Sequence, residues 1–151
     1  MEIREDDLTG EAVRDLLAYH FEMMHENSPP GMAYVLDVEG LKAPDMSFWS
    51  IWAGADLLGF GALKELEPGW GEIKSMRTHP DHLGKGAGAA MLDHIIGVAK
   101  ARGYQRLSLE TGSTPTFLPA IALYKKRGFE NGEAFAGYAA SDFNQFLHLD
   151  L

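Results

Sequence analysis

From Glu72 to Ala90 the chain runs Glu-Ile-Lys-Ser-Met-Arg-Thr-His-Pro-Asp-His-Leu-Gly-Lys-Gly-Ala-Gly-Ala-Ala, and no other stretch restricts the possible folds so strongly. It reads as a strand, a polar loop, and a glycine cluster that opens directly into an amphipathic helix. That order aims a row of backbone N–H groups, at the positive end of a helix dipole, toward an anion. Gly84, Gly86 and Gly88 remove the Cβ atoms that would hold a phosphate chain away from the backbone.

The chain has 151 residues, 46% of them hydrophobic and 23% charged. These values suit one globular domain spanning 1–151, with a real core. A formal net charge of −9 argues against a nucleic-acid partner, which needs a basic face. It is compatible with a cationic acceptor and equally with plain solubility. The chain has no cysteine, which removes disulfides, thiolate metal sites and a cysteine nucleophile together. The first residues, Met-Glu-Ile-Arg-Glu-Asp-Asp, are too acidic for a targeting peptide, and no apolar run reaches membrane-spanning length. The expectation is a cytoplasmic protein with no membrane partner.

Residues 1–5 read as a first strand. Thr9 is placed to cap a helix whose apolar stripe runs Val13, Leu16, Leu17, Phe21, Met24. Residues 27–31 are a Pro-Pro-Gly loop, and 32–41 admit a short second helix. Strands are expected at 48–53 and 57–66, joined in a hairpin at Gly54-Ala55-Asp56, and then at 70–78 after a Glu-Pro-Gly turn. The helix after the glycines carries Leu92, Ile95, Ile96 and Ala99 on one face and stops at Gly103. A strand over 106–110, a helix over 115–127 ended by Gly128, and a last strand over 145–151 complete the series. The order implies one mixed α/β (α+β) sheet with helices on both faces.

Three phosphate-binding devices compete for the loop. A Walker-type loop needs Lys followed by Ser or Thr after its last glycine, whereas Ala89 and Ala90 follow Gly88 here. The dinucleotide pattern is met by Gly84, Gly86 and Ala89, but its first glycine should follow the strand at once, and Thr78 to Leu83 intervene. The third device fits. Leu83-Gly84-Lys85-Gly86-Ala87-Gly88 resembles motif A of the GNAT superfamily of N-acetyltransferases, Arg/Gln-x-x-Gly-x-Gly/Ala. Downstream, Ala120-Ile121-Ala122-Leu123-Tyr124-Lys125-Lys126-Arg127-Gly128-Phe129 resembles motif B, Ala-x-x-Leu-Tyr-x-x-x-Gly-Phe. The likeness covers residues 46–131, with the first helix following only the general pattern. Two positions depart from the family: Leu83 stands where Arg or Gln is preferred, and Phe117 where many members carry Asn.

The resemblance implies a mostly antiparallel sheet splayed near its centre, and transfer of an acetyl group from acetyl-coenzyme A to a primary amine by direct attack. It implies that Met76, Arg77 and Thr78 present backbone to the pantetheine arm, with the Met76 N–H aimed at the oxyanion. It places residues 83–89, namely Leu83, Gly84, Lys85, Gly86, Ala87, Gly88 and Ala89, at the coenzyme phosphates, with Phe117 and Arg127 nearby. Tyr124 becomes the acid for the departing thiolate. Glu72 is the candidate base, or else simply a partner for Lys74 two residues on along the same strand face. Glu110 is the reserve base, with Ser113 behind it, and His20 and His25, on or beside the first helix, are candidates for the acceptor pocket or else surface residues. The acceptor is a small-molecule or peptide amine, and pairing through residues 143–151 to form a homodimer is implied by analogy with the family. An acyl-coenzyme A binder without catalysis is the rival reading.

Six histidines raise the question of a metal. His79 and His82 sit in a Pro-Asp loop and not at helical i, i+4 spacing, so no metal is expected. Phe48, Trp49, Trp52 and Phe60 fit sheet packing, and Met23, Met24 and Met32 suit either a pocket wall or core filling.

Overall fold

A computed structural model describes residues 1–151. The elements in order are β1 (Glu2–Glu5), α1 (Glu11–Glu26), α2 (Val38–Leu41), β2 (Met46–Ala53), β3 (Asp56–Glu67), β4 (Trp70–Thr78), α3 (Ala87–Ala101), β5 (Arg106–Gly112), α4 (Leu118–Lys126), β6 (Glu130–Asn131) and β7 (Asn144–Asp150). One sheet contains all the strands in the order β1-β2-β3-β4-β5-β7-β6. Every neighbouring pair is antiparallel except β4–β5.

Two cores lie on opposite faces of the sheet. Ile51 of β2 and Leu63 of β3 face α3 by strand alternation, and Leu58 joins them because β3 is bulged opposite Ile51 and Trp52; Met91, Leu92, Ile95 and Ala99 meet all three. Leu92 and Ile95 are 0% exposed, and burial of each contributes about 1.5–3 kcal/mol. Tyr124 of α4 joins this cluster. The other face packs Phe48, Phe60 and Ala62 against Leu8, Val13, Leu16 and Leu17 of the α1 segment.

The two central strands separate. β4 and β5 pair only at Trp70↔Arg106, Gly71↔Leu107 and Glu72↔Ser108, after which β4 runs on to Thr78 and β5 to Gly112. This is the central splay that the family resemblance implied. On its other side β4 is bulged: its register with β3 passes from Ala62↔Lys74 to Phe60↔Arg77, leaving Ser75 and Met76 without partners across either ladder. Ser75 takes the bulge at φ 53, a left-handed conformation that costs a side-chain-bearing residue roughly 1–2 kcal/mol. The bulge changes the alternation, so Arg77 faces the same side as Glu72 and Lys74.

Several local expectations need correction. Thr9 does not cap α1; Gly10 is the N-cap residue, and the Thr9 hydroxyl donates instead to Asp7 Oδ1 at 2.6 Å. Phe21 is not on the buried stripe but 44% exposed, because the second half of α1 leaves the core and runs over the cleft. The buried position there is His20. Residues 32–41 become helical only from Val38 to Leu41, begun by Asp37, whose carboxylate accepts from the Gly40 N–H at 2.9 Å. The single helix expected over 115–127 is a 3₁₀ turn, Pro115–Phe117, followed by α4. No helix is long and apolar enough to cross a membrane.

Candidate active site

The wedge between β4 and β5 holds two cavities, of about 320 Å³ and about 350 Å³. They share Met76, Arg77, Thr116, Ala120 and Tyr124. One opens toward the glycine loop and the start of α3; the other lies under α1 and the loop after β6.

The loop side is built from backbone. Gly86 is the N-cap of α3 at φ 84, a conformation that only glycine adopts without strain. The first helical bond is donated by the Ala90 N–H to the Gly86 carbonyl at 3.0 Å. The amides of Ala87, Gly88 and Ala89 therefore have no acceptor in the chain, as expected for a helix start. Thr78, Leu83, Ala87 and Gly88 line the cavity they face, with Gly84 in the turn at φ 76. Lys85 is exposed, with Nζ 2.8 Å from His82 Nδ1. Arg127 is not in the cavity lining; its guanidinium donates to both Asp93 oxygens at 2.9 and 3.2 Å, tying α4 to α3. Phe117 lies on the other cavity. Its ring closes over Gly112 so tightly that a Cβ there would stand 2.3 Å from it.

The second cavity is built from side chains. Glu72 is 2% exposed. Its Oε2 accepts from the Tyr138 hydroxyl at 2.5 Å and lies 3.7 Å from Lys74 Nζ. Lys74 in turn donates to the Tyr138 oxygen at 2.6 Å and to the Tyr34 carbonyl at 3.1 Å. Burial pushes the Lys74 pKa down, opposed by Glu72 and Glu110. Burial pushes Glu110 up from the usual carboxylate range, opposed by Asn144 and Lys74. The Tyr124 hydroxyl is pushed up to about 12, chiefly by burial, which keeps it protonated and able to donate.

Arg77 points into the same space. Its Nε–H donates to His20 Nδ1 at 2.9 Å, and its guanidinium stands 5.7 Å from the centre of the Tyr19 ring. Burial, then the neighbouring guanidinium, lowers His20 to about 3. A ring whose Nδ1 accepts a bond is neutral, with its proton on Nε2.

Glu72, Met76, Arg77, Glu110, Phe117 and Tyr124 thus converge on the wedge. Ser113 and His25 are not among the lining residues. Ser113 is exposed beyond β5, 3.5 Å from Gln145 Nε2. His25 is turned onto its own helix, with Nδ1 2.9 Å from the Phe21 carbonyl oxygen.

Sequence reasoning missed two contributors, Tyr34 and Tyr138, and it offered His20 only as one of two helix histidines that could line an acceptor pocket or sit on the surface. His20 left a signal, a polar residue in register with the buried Val13, Leu16 and Leu17. Tyr138 left none, because the loop that carries it has no periodicity. That loop is pinned from below: Trp70 Nε1 donates to Ser108 Oγ at 2.8 Å, which lies 2.6 Å from His148 Nδ1. His148 Nε2 reaches the Glu133 carbonyl at 2.8 Å.

Comparison with known proteins agrees with this architecture. The profile of the acetyltransferase (GNAT) family matches residues 11–129. The chain is 48% identical over 147 residues to the uncharacterized N-acetyltransferase YsnE of Bacillus subtilis, covering 97% of each chain. It is 46% identical over 149 residues to the uncharacterized N-acetyltransferase YedL of Escherichia coli, covering 99% of this chain and 94% of that one. A Bacillus subtilis acetyltransferase solved in complex with CoA has the same fold, with a TM-score of 0.73, at 21% identity, over 99% of this chain and 98% of that one.

Proposed function

The chain belongs to the acetyltransferase (GNAT) family, as an acetyl-coenzyme A-dependent N-acetyltransferase, and on that premise we propose that its acceptor is an amine that attacks the thioester directly within the wedge. The observation that carries this reading is the meeting of the two cavities at Met76, Arg77 and Tyr124. A backbone-lined channel and a carboxylate-bearing pocket share one short contact zone, where two bound substrates would touch.

Residues fit the donor from the loop inward. The free amides of Ala87, Gly88 and Ala89 suit the pyrophosphate, and the unpaired backbone at Ser75 and Met76 suits the pantetheine arm and the thioester oxygen. Leu83 in place of a basic side chain costs one contact while the amides remain.

An alkylammonium of pKa ~10.4 has no lone pair at neutral pH, so the acceptor must first give up a proton to water. Glu110 is the carboxylate suited to meet it: it is part-exposed on the cavity wall, and burial has made it more basic. Glu72, the first candidate from sequence, is held by Tyr138 and Lys74, which suits it to position Lys74 and relay charge more than to touch the acceptor. The amine nitrogen bonds to the carbonyl carbon, the C–S bond breaks, and the second nitrogen proton passes to Glu110. Tyr124 gives its proton to the sulfur and regains one from solvent. No covalent enzyme intermediate is required.

The test is coenzyme release during titration of acetyl-coenzyme A with an amine panel, beside calorimetric binding of the coenzyme. Turnover with at least one amine, reduced about tenfold or more by Tyr124→Phe at unchanged coenzyme affinity, supports the reading. Coenzyme binding with no turnover on any amine would leave a binder and sink the enzymatic assignment.

A further inference from the structure

We infer that the acceptor carries a free carboxylate beside its amine, held by the Arg77 guanidinium, so that the substrate class is an amino acid. This rests on the amine-acetylation reading above and adds to it the group that selects the acceptor.

The formal charges facing the acceptor cavity are Glu72, Lys74, Arg77 and Glu110. Glu72 and Lys74 satisfy one another at 3.7 Å. Arg77 and Glu110 remain without an ion pair, on opposite walls of the wedge, β4 and β5, with Asn144 and the more distant Lys74 as the polar neighbours of Glu110. Arg77 forms no ion pair with any carboxylate of the chain. Its one side-chain partner is the neutral His20, which occupies Nε and leaves the two terminal nitrogens of the guanidinium free. Burial already disfavours its charge, and a bound pantetheine arm in the adjoining cavity would exclude more water.

A partly buried cation without a counter-ion is costly, and the cost is relieved when a ligand brings the anion. The planar fork of arginine matches a carboxylate through two parallel bonds. A ligand with ammonium toward Glu110 and carboxylate on Arg77 completes both walls at once. A simple amine completes only one. Arg77 also follows Met76 in sequence, at the unpaired bulge where the thioester would lie, so a carboxylate gripped there holds the amine close to the reacting carbon. Tyr19, Met23, Met24, Tyr34 and Phe117 supply the rest of the wall and favour an apolar side chain.

The first experiment measures binding to the coenzyme A-saturated full chain of N-acetyl-L-phenylalanine and N-acetyl-L-leucine, each beside its carboxamide. The acids should bind at least tenfold more tightly than the amides. Arg77→Gln should bring that ratio close to one, and Arg77→Lys should restore part of it. Steady-state rates with L-phenylalanine, L-leucine, β-alanine and 4-aminobutyrate, each beside its amide, should show the same preference in kcat/KM.

Equal binding of acid and amide, or no binding of any acid, overturns the inference. So does an Arg77→Gln variant that weakens both alike, or one whose main loss is coenzyme affinity, which would assign the guanidinium to the donor. If tryptamine and spermidine are acetylated while no amino acid is, the amine reading stands and this one fails. If no amine is consumed, the amine reading fails, while the binding ratio still decides whether Arg77 reads a carboxylate.

Discussion

The two cavities meet at a few residues but are made of different materials. On the donor side the functional groups are main-chain amides of Ala87, Gly88 and Ala89, freed by a helix start and exposed by Gly86. On the acceptor side they are side chains from α1, β4, β5 and the loop after β6, which hold one another in a buried network of Glu72, Lys74 and Tyr138. A backbone site tolerates changes of side chain and fails only when the chain path changes. A side-chain site fails residue by residue. The first suits a substrate common to a whole family, and the second a substrate particular to one member.

That contrast can be broken at several points. Glu110→Gln is expected to have the largest effect, lowering kcat/KM by about 10²–10⁴-fold as loss of a general base does, with coenzyme affinity measured by calorimetry staying within about twofold. Loss of coenzyme affinity as well would show that the two sides are not separable. Glu72→Ala should cost stability, because it leaves Lys74 buried without its partner. About 3–5 kcal/mol is expected from urea unfolding, and a loss under about 1 kcal/mol would mean that the network is solvated.

Gly86→Ala probes the other side. An alanine held at φ 84 is strained by roughly 1–2 kcal/mol, and relief of that strain turns the amides away from their target. Acetyl-coenzyme A affinity should fall about tenfold, with the acid-to-amide preference of the acceptor site intact. A shift in that preference would tie the loop to acceptor choice.

The smallest effect concerns pH. Native His20 sits near 3, below its ordinary value of about 6.5, so between these values the unfolded chain binds the extra proton. Stability from the neutral ring is complete above about pH 6.5 and falls with acidification, by at most about 1.4 kcal/mol per pH unit. His20→Gln should flatten the urea midpoint between pH 7 and 5. An unchanged slope would place the acid sensitivity elsewhere, for instance at His94, which burial also depresses.

What could be read in advance follows the same division. The strand over residues 70–78 after its Glu-Pro-Gly turn and the helical spacing of Leu92, Ile95 and Ala99 are local consequences of covalent geometry, and both elements formed where expected, although a bulge interrupts the alternation of the strand. The two glycine-bearing motifs carried the family, because a phosphate-binding turn needs particular residue types at fixed offsets. Phe21 and Thr9 were misread, since an apolar period says which face of a helix is greasy but not where the helix runs off its sheet. Ser113 and His25 were placed near the wedge by sequence proximity alone, which does not say which way a side chain turns.

The sequence by itself determined the strand–loop–helix unit, its motifs and hence the donor class, because those depend on contacts between residues close along the chain. Only the tertiary structure decided the acceptor site. The splay of β4 from β5, the bulge that turns Arg77 onto the Glu72 face, and the approach of Tyr138 to Glu72 across 66 residues are long-range events. They are set by how α1, the sheet and the pinned loop pack together, and no local pattern in the chain encodes them.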